Sequence, residues 1–187
     1  MMPKKPKGAY AAPTILKPFD KKDRTAVRVV VETPKGSRNK YKFEPKLGSF
    51  TLSKVLPDGM VFPYDFGFIP STLAEDGDPL DVLLLMDEPA FSGCIIQTRL
   101  IGVIEGEQTE NGKSERNDRL VAVANENHTH SDLQNVADIN QTLLQEICQF
   151  FVNYHQQRGK KFKVLGVEGP KQANRLLQKA IRRGKAA

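Results

Sequence analysis

The sequence predicts a mainly β protein closed by two late helices, and three observations carry that expectation. Short β-prone runs recur between residues 27 and 124, separated by turn signals. Residues 141–157 switch from a period of two to the helical period, and a second helical repeat begins at Pro170 after an intervening strand. Short strands with such punctuation form closed or strongly curled antiparallel sheets, so the expected architecture is a small β-barrel with helices packed on it.

Each element can be justified in order. Residues 1–24 mix Pro, Lys, Gly and Ala without period and read as a basic arm; residues 25–187 read as one folded domain, with no internal repeat. Val27, Val29 and Val31 alternate with Arg28, Val30 and Glu32, a strand that stops at Pro34-Lys35-Gly36-Ser37. Further strands are expected at 40–44, 49–55, 82–86, 94–104 and 119–124. Pro57-Asp58-Gly59, Asp76-Gly77-Asp78-Pro79, Ser92-Gly93 and Asn111-Gly112 punctuate them. Leu143, Leu144, Ile147, Phe150, Phe151 and Tyr154 share one helical face, opposite Gln145, Glu146, Gln149 and Asn153. A strand is expected at 161–167. Pro170 then suits a helix start, and Ala173, Leu176, Leu177, Ala180 and Ile181 repeat at helical spacing before Gly184.

Composition excludes several classes. With 39% hydrophobic residues and 10 Phe, the chain is not the charge-dominated composition of a disordered protein. The net charge of +6 suggests a polyanion partner until it is divided along the chain: 1–24 carry +5, 156–187 carry +9, and 25–155 carry −8. The middle is therefore an acidic region suited to collecting cations. Cys94 and Cys148 stand far apart with no CxxC, which suits a reducing, cytoplasmic setting. No run reaches the ~18 apolar residues of a membrane span, so no membrane partner is expected.

The chemistry concentrates in Glu75-Asp76-Gly77-Asp78-Pro79-Leu80-Asp81-Val82. Its four carboxylates repel one another unless cations or protons neutralise them. Pro79 stiffens the turn, and Val82-Leu83-Leu84-Leu85-Met86 reads as a buried strand that would hold Asp81 beside Asp76 and Asp78. Hard carboxylate oxygens suit Mg2+ or Mn2+, whereas the spacing lacks the ligand pattern of a calcium-binding EF-hand loop. His128 and His130 have no third ligand specified and read as a solvated loop.

This run, preceded by Phe62-Pro63-Tyr64-Asp65-Phe66-Gly67-Phe68-Ile69-Pro70-Ser71-Thr72, resembles the signature of soluble family I inorganic pyrophosphatases. The resemblance extends from Val29-Val30-Val31-Glu32-Thr33-Pro34 and Lys40-Tyr41 to Leu120-Val121-Ala122-Val123 and Phe150-Phe151-Val152-Asn153-Tyr154. It implies an OB-like five-stranded closed barrel with two C-terminal helices, hydrolysis of diphosphate to two phosphates with several Mg2+ ions, and a homo-oligomer. Carried over by position, it implies Asp78 as the catalytic carboxylate and Asp76, Asp81 and Glu32 as metal ligands. Lys40, Lys54, Arg119, Tyr154 and His155 would contact phosphate. Taken singly, Glu32, Lys40 and Tyr154 read as a strand residue, a turn charge and a core position; their joint order with the aspartates favours the site.

Several positions depart from the family pattern. Lys54 stands for an Arg, Lys42 for a Glu, Phe66 for a Tyr and His155 for a Lys. A metal-bridging Asp is expected two residues before the phosphate-binding cation Arg119. The ungapped register puts Asn117 there, and a one-residue slip would make Asp118 the ligand. Another family Asp has no clear match in 105–116, where Glu105, Glu107, Glu110 and Glu115 are the candidates. The departures leave open a pyrophosphatase-like protein with lost or altered activity. A nucleic-acid binder on the same barrel ranks low, because the strands set acids among their apolar residues.

Overall fold

The computed structural model describes residues 13–186. Nine strands are observed: β1 (Val27–Thr33), β2 (Asn39–Glu44), β3 (Ser49–Val55), β4 (Asp65–Phe68), β5 (Asp81–Leu85), β6 (Ile95–Glu110), β7 (Lys113–Arg116), β8 (Arg119–Ala124) and β9 (Lys161–Glu168). The two helices are α1 (Gln141–Gln156) and α2 (Pro170–Ala186). Strands β1, β4, β5, β8 and β6 pair in that order, and β6 returns to β1, so the five form a closed ring. The mainly β reading with two late helices is borne out.

One pairing departs from the antiparallel expectation. β5 and β8 run parallel, with Val82 opposite Leu120. This sets the beginnings of both strands, Asp81 and Arg119, side by side at one end of the ring. A parallel pair needs a long crossover, here supplied by residues 86–118.

Three further differences have physical causes. The 94–104 strand runs on to Glu110, because β9 and β7 pair with its polar continuation on opposite edges. Strand β7, missed in the polar 105–116 stretch, is the exposed return of the Asn111-Gly112 hairpin. Strand β4 lay hidden in the aromatic motif; all four of its residues are buried, so it shows no alternation. Helix α2 also continues through Gly184, where the backbone of Ser71 approaches to 3.1 Å of where a Cβ would lie.

The sheet is covered on both faces. Leu83, Leu85, Val121 and Val123 meet Ile147 and Phe151 of α1, while Val82, Leu84, Leu120 and Ala122 meet Ala173, Leu177 and Ile181 of α2. Fully burying each large apolar side chain contributes about 1.5–3 kcal/mol. The β2–β3 hairpin lies outside the ring and packs Phe43 on Val30 and Phe68. Within the basic arm, residues 13–24 lie against the domain: Ser71 donates to the Leu16 carbonyl at 2.9 Å, and Arg28 pairs with Asp20. The rest of the arm, 1–12, lies outside the described residues.

Candidate active site

Strand beginnings, the outer hairpin and the end of α1 enclose a cavity of about 460 Å3. The Asp76–Asp81 turn forms one wall. Gly77 has a φ of 85°, open to glycine at little cost, and the Asp78 N–H donates to the Asp76 carboxylate at 3.1 Å. Thr72 fixes the exit by accepting the Leu80 N–H at 3.0 Å. Helix α2 braces the entry: Leu73 N–H donates to Ala180, and Arg183 pairs with Glu75 at 2.7 Å.

The other walls supply the cations. Period-two alternation on β2 brings both Lys40 and Lys42 to the cavity, and Lys54 lies opposite Lys40 on β3. Lys42 donates to both oxygens of Asp78 at 2.9 Å. Burial works against the Lys42 ammonium, but its hydrogen bonds to Asp78 prevail and raise its pKa above the ordinary lysine value. Lys40 is pushed down by burial and sits over the rings of Phe66 and Tyr154. Arg119 is 4% exposed among Phe66, Phe151 and Phe162, with Nη1 3.3 Å from Asp81.

Glu32 projects from β1 into the cavity and accepts the Phe43 N–H at 2.9 Å. Burial pushes its carboxyl up to about 7, and the negative charge of Asp81 adds to the effect. Asp76 is raised as well, first by burial and then by repulsion from Asp81 and Asp78. Both carboxylates therefore gain from a cation, and their hard oxygens suit a divalent metal. Among the described residues, no three His, Cys, Asp or Glu side chains are gathered about one point.

From the last turn of α1 come Tyr154 and His155. The Tyr154 hydroxyl accepts from Arg158 at 3.1 Å, and burial pushes its pKa up to about 12, so it stays a donor. His155 stacks on Phe162 at 4.6 Å, with Nδ1 2.7 Å from the Phe151 carbonyl. This contact assigns the proton to Nδ1. Burial lowers the His155 pKa to about 4, so it lines the cavity without bringing charge.

The structure thus gathers Glu32, Lys40, Lys54, Asp76, Asp78, Asp81, Arg119, Tyr154 and His155 around one space. Asp118 is not among the residues that line the cavity. Asn117 lines the cavity, while the Asp118 carboxylate accepts from the Gly106 N–H and from Arg116 at 2.8 Å. Successive residues of an extended segment point to opposite sides, so only one of the pair can enter. Of the four glutamate candidates, Glu110 and Glu115 line the cavity and Glu105 and Glu107 do not.

Gln108, Arg158 and Lys160 also line it and were not singled out from the sequence. Arg158 lies one helical turn beyond Tyr154, a spacing that could have revealed it. Gln108 accepts from the Asn117 amide at 3.0 Å, a contact set by folding between β6 and the start of β8.

Comparison with known proteins supplies the context for this geometry. A family model described as inorganic pyrophosphatase matches residues 29–185. Among curated relatives, the inorganic pyrophosphatase of Nostoc sp. is 35% identical over 156 residues, covering 83% of this chain and 90% of the relative. That of Thermus thermophilus is 38% identical over 152 residues, covering 81% and 85%. The crystal structure of the Thermus thermophilus inorganic pyrophosphatase superposes with a TM-score of 0.85 at 36% identity, covering 94% of this chain and 99% of that one.

Proposed function

The chain belongs to the inorganic pyrophosphatase family, and we propose that its cavity is where it hydrolyses diphosphate to two phosphates with Mg2+ as the working metal. The family is metal-dependent. The observation that carries the proposal is the confinement of Asp76, Asp78 and Asp81 with Arg119, Lys40 and Tyr154 in one cavity. Asp76, Asp81 and Glu32 are the residues that would hold metal. Bound divalent ions supply a water of lowered pKa and offset charge on phosphate oxygens.

The chain's own groups account for the remainder. Asp78 takes the proton of the attacking water as its oxygen bonds to one phosphorus and the bridging P–O bond breaks. Lys40, Lys54 and Arg119 hold the phosphate oxygens, and Tyr154 donates its hydroxyl proton to one of them. His155 shapes the floor as a neutral ring.

Phosphate release from diphosphate tests this reading, measured with Mg2+, with Mn2+ and with a chelator. Turnover that requires metal and collapses in Asp78→Asn is expected; no turnover by the parent protein overturns the reading. We infer also a cytoplasmic setting, homo-oligomeric assembly, and a catalytic unit spanning 25–187 with 1–24 as an arm. Cys94 and Cys148 are both free thiols, and no helix among the described residues is long and apolar enough to cross a membrane. A sizing column tests the assembly.

A further inference from the structure

We propose that fixed protein cations stand in for divalent ions on the Asn117 side of the cavity and beside Asp78, so that this chain takes metal only at Asp76, Asp81 and Glu32. The proposal rests on the function given above and concerns how that site balances its charge.

The Asn117 side does not fit a metal. Both ends of the Asn117 amide are occupied: its nitrogen donates to Gln108 at 3.0 Å, and its oxygen accepts from Arg119 Nη1. An ion there would meet two neutral amides and a guanidinium, with Glu115, opposite Gln108 on β7, the one carboxylate of that side without an ion pair among the described residues. The nearest carboxylate in sequence, Asp118, is turned outward to Arg116. Arg119 itself is held permanently. It is buried, its Nη1 also donates to the Asn117 carbonyl at 2.8 Å, and its Nε lies buried with no partner. A buried guanidinium with spare donors is a positive charge built into the wall.

Beside Asp78 the same exchange occurs. Lys42 contacts both carboxylate oxygens at 2.9 Å, so its ammonium offsets the charge that a metal would otherwise offset, and each oxygen keeps a lone pair for the water's proton. Glu110 is likewise paired, with Lys160. Glu32 and Asp76 differ: among the described residues they have no ion pair and accept only backbone N–H groups, and Asp81 meets Arg119 through Oδ2 alone, at 3.3 Å. Metal binding is thereby confined to one wall, with lysine and arginine supplying the remainder of the positive charge.

Direct Mn2+ titration of the full chain by electron paramagnetic resonance, without diphosphate, tests this. Asn117→Asp should bind an additional ion. Lys42→Glu should bind Mn2+ roughly tenfold more tightly, the scale of one strong charge contact; Lys42→Met, which adds no ligand, should tighten it less. Lys42 lies on an exposed hairpin, so its variants fold even if Asn117→Asp does not. Identical ion counts and affinities in the parent, Lys42→Glu and Asn117→Asp overturn the proposal. Parent turnover of diphosphate is assayed separately. Turnover with unchanged Mn2+ binding rejects this inference alone, whereas absent turnover rejects the function and leaves the ion count to decide this point.

Discussion

Asp81 and Arg119 begin adjacent parallel strands, yet the walls they anchor are built in different ways. The Asp81 wall is a stiff local turn faced by Glu32 from β1, where burial first and the negative charge of Asp81 second hold Asp76 and Glu32 above ordinary carboxylate values. The Arg119 wall is assembled from distant parts, and Gln108, Asn117 and the guanidinium bond to one another, with only the Arg119 Nε left buried without a partner among the described residues. One wall leaves Asp76 and Glu32 without an ion pair among the described residues, and the other carries its own cation. A high charge density can be managed by burying carboxylates that gain from a cation or by building in a counter-ion, and this cavity contains both arrangements.

Four substitutions test that contrast, from the largest effect to the smallest. Asp81→Ala removes the carboxylate the two walls share and should lower kcat/KM by about 10²–10³-fold, the scale of one transition-state charge contact; steady-state phosphate release measures it. Near-parental activity would sever the acid wall from catalysis. Arg119→Met leaves Asp81 without its ion pair and should cost about 3 kcal/mol in urea unfolding. That is the lower end for breaking a buried pair, because a quarter of the Asp81 side chain stays exposed.

His155 gives a pH test. An ordinary histidine titrates near 6.5 and folded His155 near 4. Between those values the unfolded chain binds more protons than the folded one. Stability is therefore unaffected above that window and falls as pH drops through it, by roughly 2–3 kcal/mol. His155→Gln should flatten this acid limb, read as urea midpoints at about pH 7.5 and about pH 5. The smallest effect is expected at Asp118. Asp118→Ala loses an ion pair whose Arg116 end is a third exposed, together with the acceptor of the Gly106 N–H, and should lower stability by about 1–2 kcal/mol while leaving activity within about threefold. A loss as deep as that of Asp81→Ala would return Asp118 to the site.

The two walls also differ in how far they can be read in the sequence. Asp76, Asp78 and Asp81 lie within one turn, so their proximity is dictated by the local chain, and Leu120–Val123 announces its strand by composition alone. The Asn117 wall depends on which of two adjacent residues points inward and on what β6 brings across. Asn117-Asp118 permits both readings; only the pairing of β8 with β5 and β6 selects one. Strands β4 and β7 escaped for opposite reasons, one buried on every side and the other exposed along most of its length, so neither shows the alternation that marks a half-buried strand. Lys42 was visible as a departure, but its grip on Asp78 spans 36 residues of sequence and arises from the hairpin folding over β1.

Strand β6 carries a consequence for the order of assembly. Its 16 residues pair with β1 and β9 on one edge and with β8 and β7 on the other, partners drawn from Val27 to Glu168. At Gly106 the Phe162 ring lies 2.2 Å from where a Cβ would stand, and that ring also backs His155 and Arg119. A nascent chain that has emerged only as far as β8 holds all three aspartates of the turn but lacks the ring that fills the Gly106 notch and the helix end that bears Tyr154. Closure through pairings so distant in sequence is slow compared with local hairpin formation. The protein therefore acquires its acidic turn early in synthesis and its catalytic enclosure late, and diphosphatase activity should emerge only once residues through Glu168 are free to pair.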